Sequence, residues 1–293
     1  EQSNKRTANL EDDMQGSYLG TEYSQEQIEK ELKNIGANFE ILKYQDLIHK
    51  TSEYLSNDNL KFNMNFKKDV QTFSADNVAA IFRGSEFPDE YVILTAHLDH
   101  VGIQNGDIYN GADDNGSGTV AMLEIAEAFA LAKELGHTPK RSIVFLHVTA
   151  EERGLLGSEY YADYDPLVPI NKTIANLNMD MMGRADPNRG IKNLNYVYVI
   201  GSDILSDDLH EINLEANEKY ANLELDFRYN DINDPNQFYY RSDHYHFVKN
   251  NIPSIFYFSG VHEDYHKPTD TAEKILYEPY KRRVKLIFHT AWG

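Results

Sequence analysis

The chain has 293 residues, 41% of them hydrophobic, enough for one large domain with a sizeable core and a small appendage. Its 28 basic and 47 acidic side chains leave a formal charge of −19, which excludes nucleic acid and anionic membrane as partners held by bulk attraction. Cysteine is absent, which excludes disulfides, thiolate metal sites and a cysteine nucleophile, and no apolar run approaches the roughly 18 residues of a membrane span.

Residues 1–76 are polar and read as an N-terminal extension packed on a main domain at 77–293. Within the extension Ser24 and Gln27 form a capping box, Ile28, Leu32 and Ile35 share one face, and Gly36 supplies a stop, so a helix is expected from Ser24 to Gly36. KFNMNFKKDVQTFS, at 61–74, reads as an edge strand or hairpin. From residue 77 onward short β-rich runs alternate with helical stretches. NVAAIFRG, EYVILTAHLD, SIVFLHVTA, TIANLNMDMM, YVYVIGS and PSIFYFSG read as strands. Helices are expected in SGTVAMLEIAEAFALAKELG and near Asp207–Ala221, Ser242–Asn250 and Glu278–Ala291. Such alternation predicts an α/β three-layer sandwich with a mixed, largely parallel central sheet and helices on both faces. Ligands of open α/β sheets bind outside the carboxyl ends of the strands.

Residues suited to that place occur in the order His97, Asp114, Glu152, Asp180, His266, several of them just after a strand-like run. Imidazole and carboxylate are the usual zinc ligands where cysteine is missing, and one carboxylate can bridge a pair of ions about 3.5–4 Å apart. The set therefore suits two zinc ions, each with one His and one terminal carboxylate, and one carboxylate shared. Asp99 stands two residues after His97, and the period of two in a strand points both side chains to one face, where Asp99 can fix the ligand's tautomer. Glu151 precedes Glu152 and cannot point the same way, yet lies within one residue of the metals, which makes it the natural general base.

Six motifs carry a resemblance to a known family: HLD at 97–99, DDNGSG at 113–118, EE at 151–152, NMD at 178–180, SDH at 242–244 and YHKPTDT at 265–271. From Asn77 to the C-terminus the chain resembles the co-catalytic dizinc exopeptidases of clan MH, of the aminopeptidase Y and bacterial leucyl aminopeptidase type. The resemblance implies that Asp114 bridges, that His97 with Asp180 completes one zinc, and that Glu152 with His266 completes the other. It implies Glu151 as base and Tyr265 as donor to the oxyanion. Asp113 is the rival to Asp114, which is preferred because the family's bridging residue stands just before the turn. Relatives carry a non-proline cis peptide after that residue, so one is expected at Asp114–Asn115. Export to the periplasm or the exterior is expected as well.

An exopeptidase must recognise a terminus. Glu151 and Asp180 suit a substrate ammonium, whereas a carboxypeptidase or dipeptidase wants a base for the carboxylate, with Arg184 and Arg241 the candidates. Asp243 and His244 are expected to line the pocket, with N-capping of the following helix the other reading. The surplus of acids favours an aminopeptidase acting on peptides. A glutaminyl cyclase, with one zinc, and a non-catalytic receptor-like domain are the rivals.

Overall fold

A computed structural model describes residues 75–190 and 193–293. The helix expected at Ser24–Gly36 and the strand or hairpin expected at 61–74 lie outside the described residues. In chain order the strands are β1 (Val78–Phe82), β2 (Phe87–His97), β3 (Gly102–Gln104), β4 (Asp107–Tyr109), β5 (Arg141–Val148), β6 (Thr173–Met179), β7 (Tyr196–Ile200), β8 (Glu224–Asp226) and β9 (Ser254–Phe258). The α-helices are α1 (Gly118–Glu134), α2 (Leu156–Glu159), α3 (Asp207–Ala216), α4 (His244–Lys249) and α5 (Tyr277–Trp292).

Among the described residues seven strands form one sheet in the order β1-β5-β2-β6-β9-β7-β8, and β3 pairs with β4 in a separate hairpin. β2 runs parallel to β5 and β6, β6 to β9 and β7 to β8; β1 on β5 and β7 on β9 are antiparallel. The sheet is thus mixed and largely parallel, as the alternation of elements implies.

Both faces of the sheet are covered, and β2 shows why the strands read as continuous apolar runs. Val92, Leu94 and Ala96 join Met122, Ile125 and Phe129 of α1 and Leu286 and Ile287 of α5. The alternate residues Tyr91 and Ile93 join Val144 and Leu146 of β5 with Tyr161 and Phe247. Successive side chains point to opposite faces, so a strand sandwiched between two helical layers is apolar at every position. Each such side chain contributes on the order of 1.5–3 kcal/mol on full burial. Phe129 also stacks on Trp292, with centroids 5.3 Å apart, and so joins α1 to the end of the chain.

One buried cation holds the turn after β6 against β7. Arg283 of α5 is 0% exposed, and its guanidinium donates to the carbonyls of Met182, Arg184, Tyr196 and Leu194 at 2.6, 2.8, 2.8 and 3.3 Å. Those carbonyls belong to the turn after β6 and to the start of β7 with the residues before it, and a planar fork with five N–H groups can satisfy several together. No helix of the described residues is long and apolar enough to cross a membrane.

Candidate metal centre

The strands deliver the chemistry at their carboxyl ends. β2 ends on His97, β6 ends just before Asp180, and β5 ends three residues before Glu151. Asp114 precedes α1, and His266 lies in the loop between β9 and α5.

His97 is 1% exposed, and its Nε2 stands 3.3 Å from Asp114 Oδ1 and 3.5 Å from Asp180 Oδ1 without making a hydrogen bond. On the other side His266 Nε2 lies 3.0 Å from Asp114 Oδ2 and 3.1 Å from Glu152 Oε2. Asp114 therefore offers one oxygen to each of two imidazole–carboxylate groups. A buried imidazole nitrogen aimed at carboxylate oxygens without a hydrogen bond is costly alone and favourable around a cation. Nitrogen and oxygen donors of this kind fit zinc.

The surroundings fix these groups. Asp180 Oδ2 accepts from Ser242 Oγ at 2.7 Å, which leaves Oδ1 facing His97. Ser242 Oγ accepts from Asn178 Nδ2, whose amide oxygen accepts from Thr95 Oγ1, so a buried hydrogen-bond chain runs from the sheet to the site. Asp99 differs from the sequence expectation in part. His97 Nδ1 lies 3.0 Å from the Asp99 carbonyl oxygen and 3.8 Å from its carboxylate. The Asp99 carboxylate instead accepts the backbone N–H groups of Glu151 and Glu152 at 3.1 and 3.3 Å, and so ties the end of β2 to the Glu151–Glu152 turn.

Between the two adjacent aspartates, Asp114 faces the imidazoles. Asp113 is turned inward, accepting from the Gly183 N–H at 2.5 Å and lying 3.1 Å from His262 Nε2. Asp270 holds the backbone N–H groups of Asp113 and Asp114 at 2.9 and 3.2 Å. The Asp114–Asn115 peptide is cis. Ala150, Met181 and His266, each at or beside one of these groups, adopt left-handed backbone at φ 55, 51 and 52, a conformation sparsely populated outside glycine and frequent at functional sites.

Electrostatics follow the crowding of acids. Burial opposes charge on His97, yet Glu151 and Asp180 outweigh it and hold its pKa well above the ordinary imidazole value. Burial likewise opposes charge on His266, and its contacts with Asp114 and Glu152 bring it up to about 10. Burial pushes Glu151 well above the usual carboxylate range; His97 opposes this, and Asp180, Asp243 and Asp114 reinforce it.

A cleft of about 370 Å³, open to solvent, lies beside the centre. Glu151, Asp180, Tyr265 and His266 line one part of it, Phe238, Phe256, Phe258 and Val261 the apolar part, with Arg241 at its edge. Tyr265 stacks on His266 with centroids 3.9 Å apart.

Three expected pocket residues lie elsewhere. Asp243 and His244 are 0% exposed and sit beneath the cleft instead of lining it. Asp243 accepts from Ser158 Oγ at 2.6 Å and, although it precedes α4, makes no capping hydrogen bond. His244 stacks on Phe256. Arg184 is likewise consumed by a buried ion-pair network, 3.0 Å from Asp264 and 3.9 Å from Asp270. Of the two basic candidates only Arg241 reaches the cleft. Sequence reasoning missed His100, Ser242 and Asp270, although Ser242 and Asp270 lie in motifs already singled out and His100 directly follows the HLD motif; its Nδ1 is 2.9 Å from Glu152 Oε1.

A mixed, largely parallel sheet with imidazole and carboxylate side chains gathered at its strand ends defines an α/β domain suited to a metal centre. Residues 77–291 match peptidase family M28, and the chain belongs to that family. It is 34% identical over 190 residues to a probable leucine aminopeptidase 2 of Aspergillus oryzae, covering 63% of this chain and 34% of that protein. It is 36% identical over 118 residues to a probable glutamate carboxypeptidase of Arabidopsis thaliana, covering 40% of this chain and 16% of that one. Among solved structures, a zinc aminopeptidase from Bacillus subtilis superposes with a TM-score of 0.55 at 27% identity, covering 73% of this chain and 48% of that one. The chain thus spans less than half the length of each.

Proposed function

We propose that this chain is an aminopeptidase holding two zinc ions, one by His97 and Asp180, the other by Glu152 and His266, with Asp114 shared, and that it removes N-terminal residues from peptides. The observation that carries this reading is the placement of the two Asp114 oxygens, 3.3 Å from His97 Nε2 and 3.0 Å from His266 Nε2, beside the cleft that contains Glu151. Zinc, when bound, supplies Lewis-acid polarisation of the scissile carbonyl and makes water acidic near neutral pH.

The protein's own groups do the rest. Glu151 takes a proton from the attacking water and returns it to the leaving amine; burial raises its pKa toward the range in which both transfers are practical. Tyr265 lines the cleft, and its hydroxyl donates to the oxyanion. Glu151 and Asp180 receive the substrate ammonium, and Phe238, Phe256 and Phe258 receive an apolar side chain. Similarity to proteins named leucine aminopeptidase and zinc aminopeptidase supports the reading.

A carboxypeptidase is the second reading, and Arg241 favours it. Its guanidinium lies over Phe238, 5.2 Å from the ring centroid, and reaches the cleft without an ion pair among the described residues. A free cation there suits a terminal carboxylate. The test is a comparison on the zinc-loaded full chain of leucine p-nitroanilide, its N-acetylated form, and an N-blocked dipeptide with a free carboxylate. Cleavage of the free-amino anilide alone is expected. Cleavage of the blocked dipeptide alone would transfer the assignment to a carboxypeptidase, and turnover of neither would leave a binding domain.

A further inference from the structure

We propose that His100 is a further zinc-binding side chain, acting on the Glu152–His266 side of the centre, so that this ion is held by two imidazoles and the other by one. The inference rests on the two-zinc reading. It starts from a side chain that the five-ligand set leaves unexplained.

His100 follows the end of β2 by three residues, and its side chain is only 10% exposed. Its Nδ1 lies 2.9 Å from Glu152 Oε1 and 3.8 Å from Asp114 Oδ2. His266 approaches the other oxygen of Glu152, Oε2, at 3.1 Å, and the two rings meet edge to face with centroids 5.7 Å apart. One donor atom each from His100, Asp114 and Glu152 falls within 4.8 Å of the others. The Glu152 carboxylate is therefore flanked by an imidazole on each oxygen, over the same Asp114.

Simple ion pairing is a poor account of this ring. Its Nδ1 is buried and, although 2.9 Å from Glu152 Oε1, makes no hydrogen bond. A ring nitrogen set among the oxygens of two carboxylates without a hydrogen bond to either has the geometry of a donor to a shared cation. The chain also makes room for the ring. Gly111, with φ 60, sits against it, and a Cβ at that position would lie 2.5 Å from His100 Cγ. The same Cβ would also lie against the Asp114 carbonyl oxygen, so a glycine there lets the loop that carries Asp114 pass close to the His100 ring.

The consequence is an asymmetric pair of ions, with His100 contributing to one affinity only. The test is zinc titration of the metal-free full chain by calorimetry, together with the visible spectrum of the cobalt-loaded protein, for the parent, His100→Ala and His100→Gln. Metal-free melting curves for each show that folding is retained, and His100→Gln, close to the parent in size, serves if His100→Ala does not fold. Loss of one imidazole is expected to weaken one of the two zinc affinities at least tenfold, as even indirect partners of a metal ligand do, and to shift the cobalt bands. Unchanged affinities, or a weakened affinity with an unchanged cobalt spectrum, would overturn the assignment of His100 to the metal. A parent that takes up fewer than two zinc ions would instead sink the two-zinc reading on which it stands.

Discussion

Glu151 and Glu152 are neighbours in sequence whose surroundings separate their roles. Glu152 is flanked by His100 and His266, whereas Glu151 faces the cleft beside Asp180. Glu151→Gln keeps size and coordination around it while removing a proton acceptor, so it should retain the parent's zinc content and lose about 10²–10⁴ in kcat. Glu152→Gln should lose zinc as well as activity, and equal zinc losses in the two variants would reverse the roles. Arg241 offers a second test at this scale. Arg241→Ala should leave kcat/KM for an amide without a terminal carboxylate within about twofold, and weaken dipeptides by the roughly 1.5–3 kcal/mol of a charge-assisted hydrogen bond. Equal effects on both would show that Arg241 only packs on Phe238. Sequence spacing identifies His97, Asp114 and Glu152 as chemistry-bearing residues because their types suit zinc. It does not reveal His100 beside Glu152, since the two meet across 52 positions of chain, and an isolated histidine carries no sign of what it faces.

Elements were legible wherever a run was long enough to show its period. The six longer strands and α1, α3, α4 and α5 lie where the alternation places them, most ends within a residue or two; β2 begins three residues earlier than expected, β6 ends three residues earlier, and α3 ends at Ala216, five residues short of Ala221. The hairpin β3–β4 and strand β8 have three residues each, too few for a pattern to rise above loop composition. Arg283 was hidden for another reason: in a helix sequence of KRRVK type it reads as solvent-facing, yet it turns inward because four carbonyls need donors. Arg283→Met should fill much of the volume but leave those carbonyls unpaired, costing at least about 3 kcal/mol in urea unfolding; a smaller loss would mean that water replaces the guanidinium. A pH effect belongs to α4. Burial depresses the pKa of His244 to about 3. In the unfolded chain the ring binds a proton near pH 6.5, and the folded chain binds it only about three units lower, so folding stability is lost as pH falls through that window. The slope is on the order of 1 kcal/mol per pH unit. His244→Phe, which suits the stack on Phe256, should therefore flatten the decline in melting temperature between about pH 6.5 and 4, compared in chelator so that metal loss affects both proteins alike. A parallel decline in parent and variant would assign the acid sensitivity to carboxylates elsewhere.

At the scale of the whole molecule, an acidic chain gathers its acids in one place. The formal charge is −19, and Asp99, Asp114, Glu151, Glu152 and Asp180 all converge on the strand ends around one cleft. A sheet of parallel strands forces this arrangement, because its ligand-bearing turns share one edge of the molecule. The fold therefore carries an internal repulsion that bound cations remove, and zinc that binds the folded chain alone stabilises it by RT ln(1 + [Zn]/Kd), about 2.7 kcal/mol at a hundredfold excess over Kd. For a domain of this size that corresponds to a melting shift of roughly 5–10 °C. Chelation should lower the melting temperature by that amount and abolish activity, and zinc should restore both. Molar salt should recover part of the lost stability without restoring activity, since it screens the more exposed carboxylates, over a Debye length of about 3 Å, but cannot replace a coordinated ion. An unchanged melting curve after verified metal removal would show that the carboxylates are reconciled by protonation and the neighbouring imidazoles alone, and that the centre's metal is a catalytic passenger without a part in the fold.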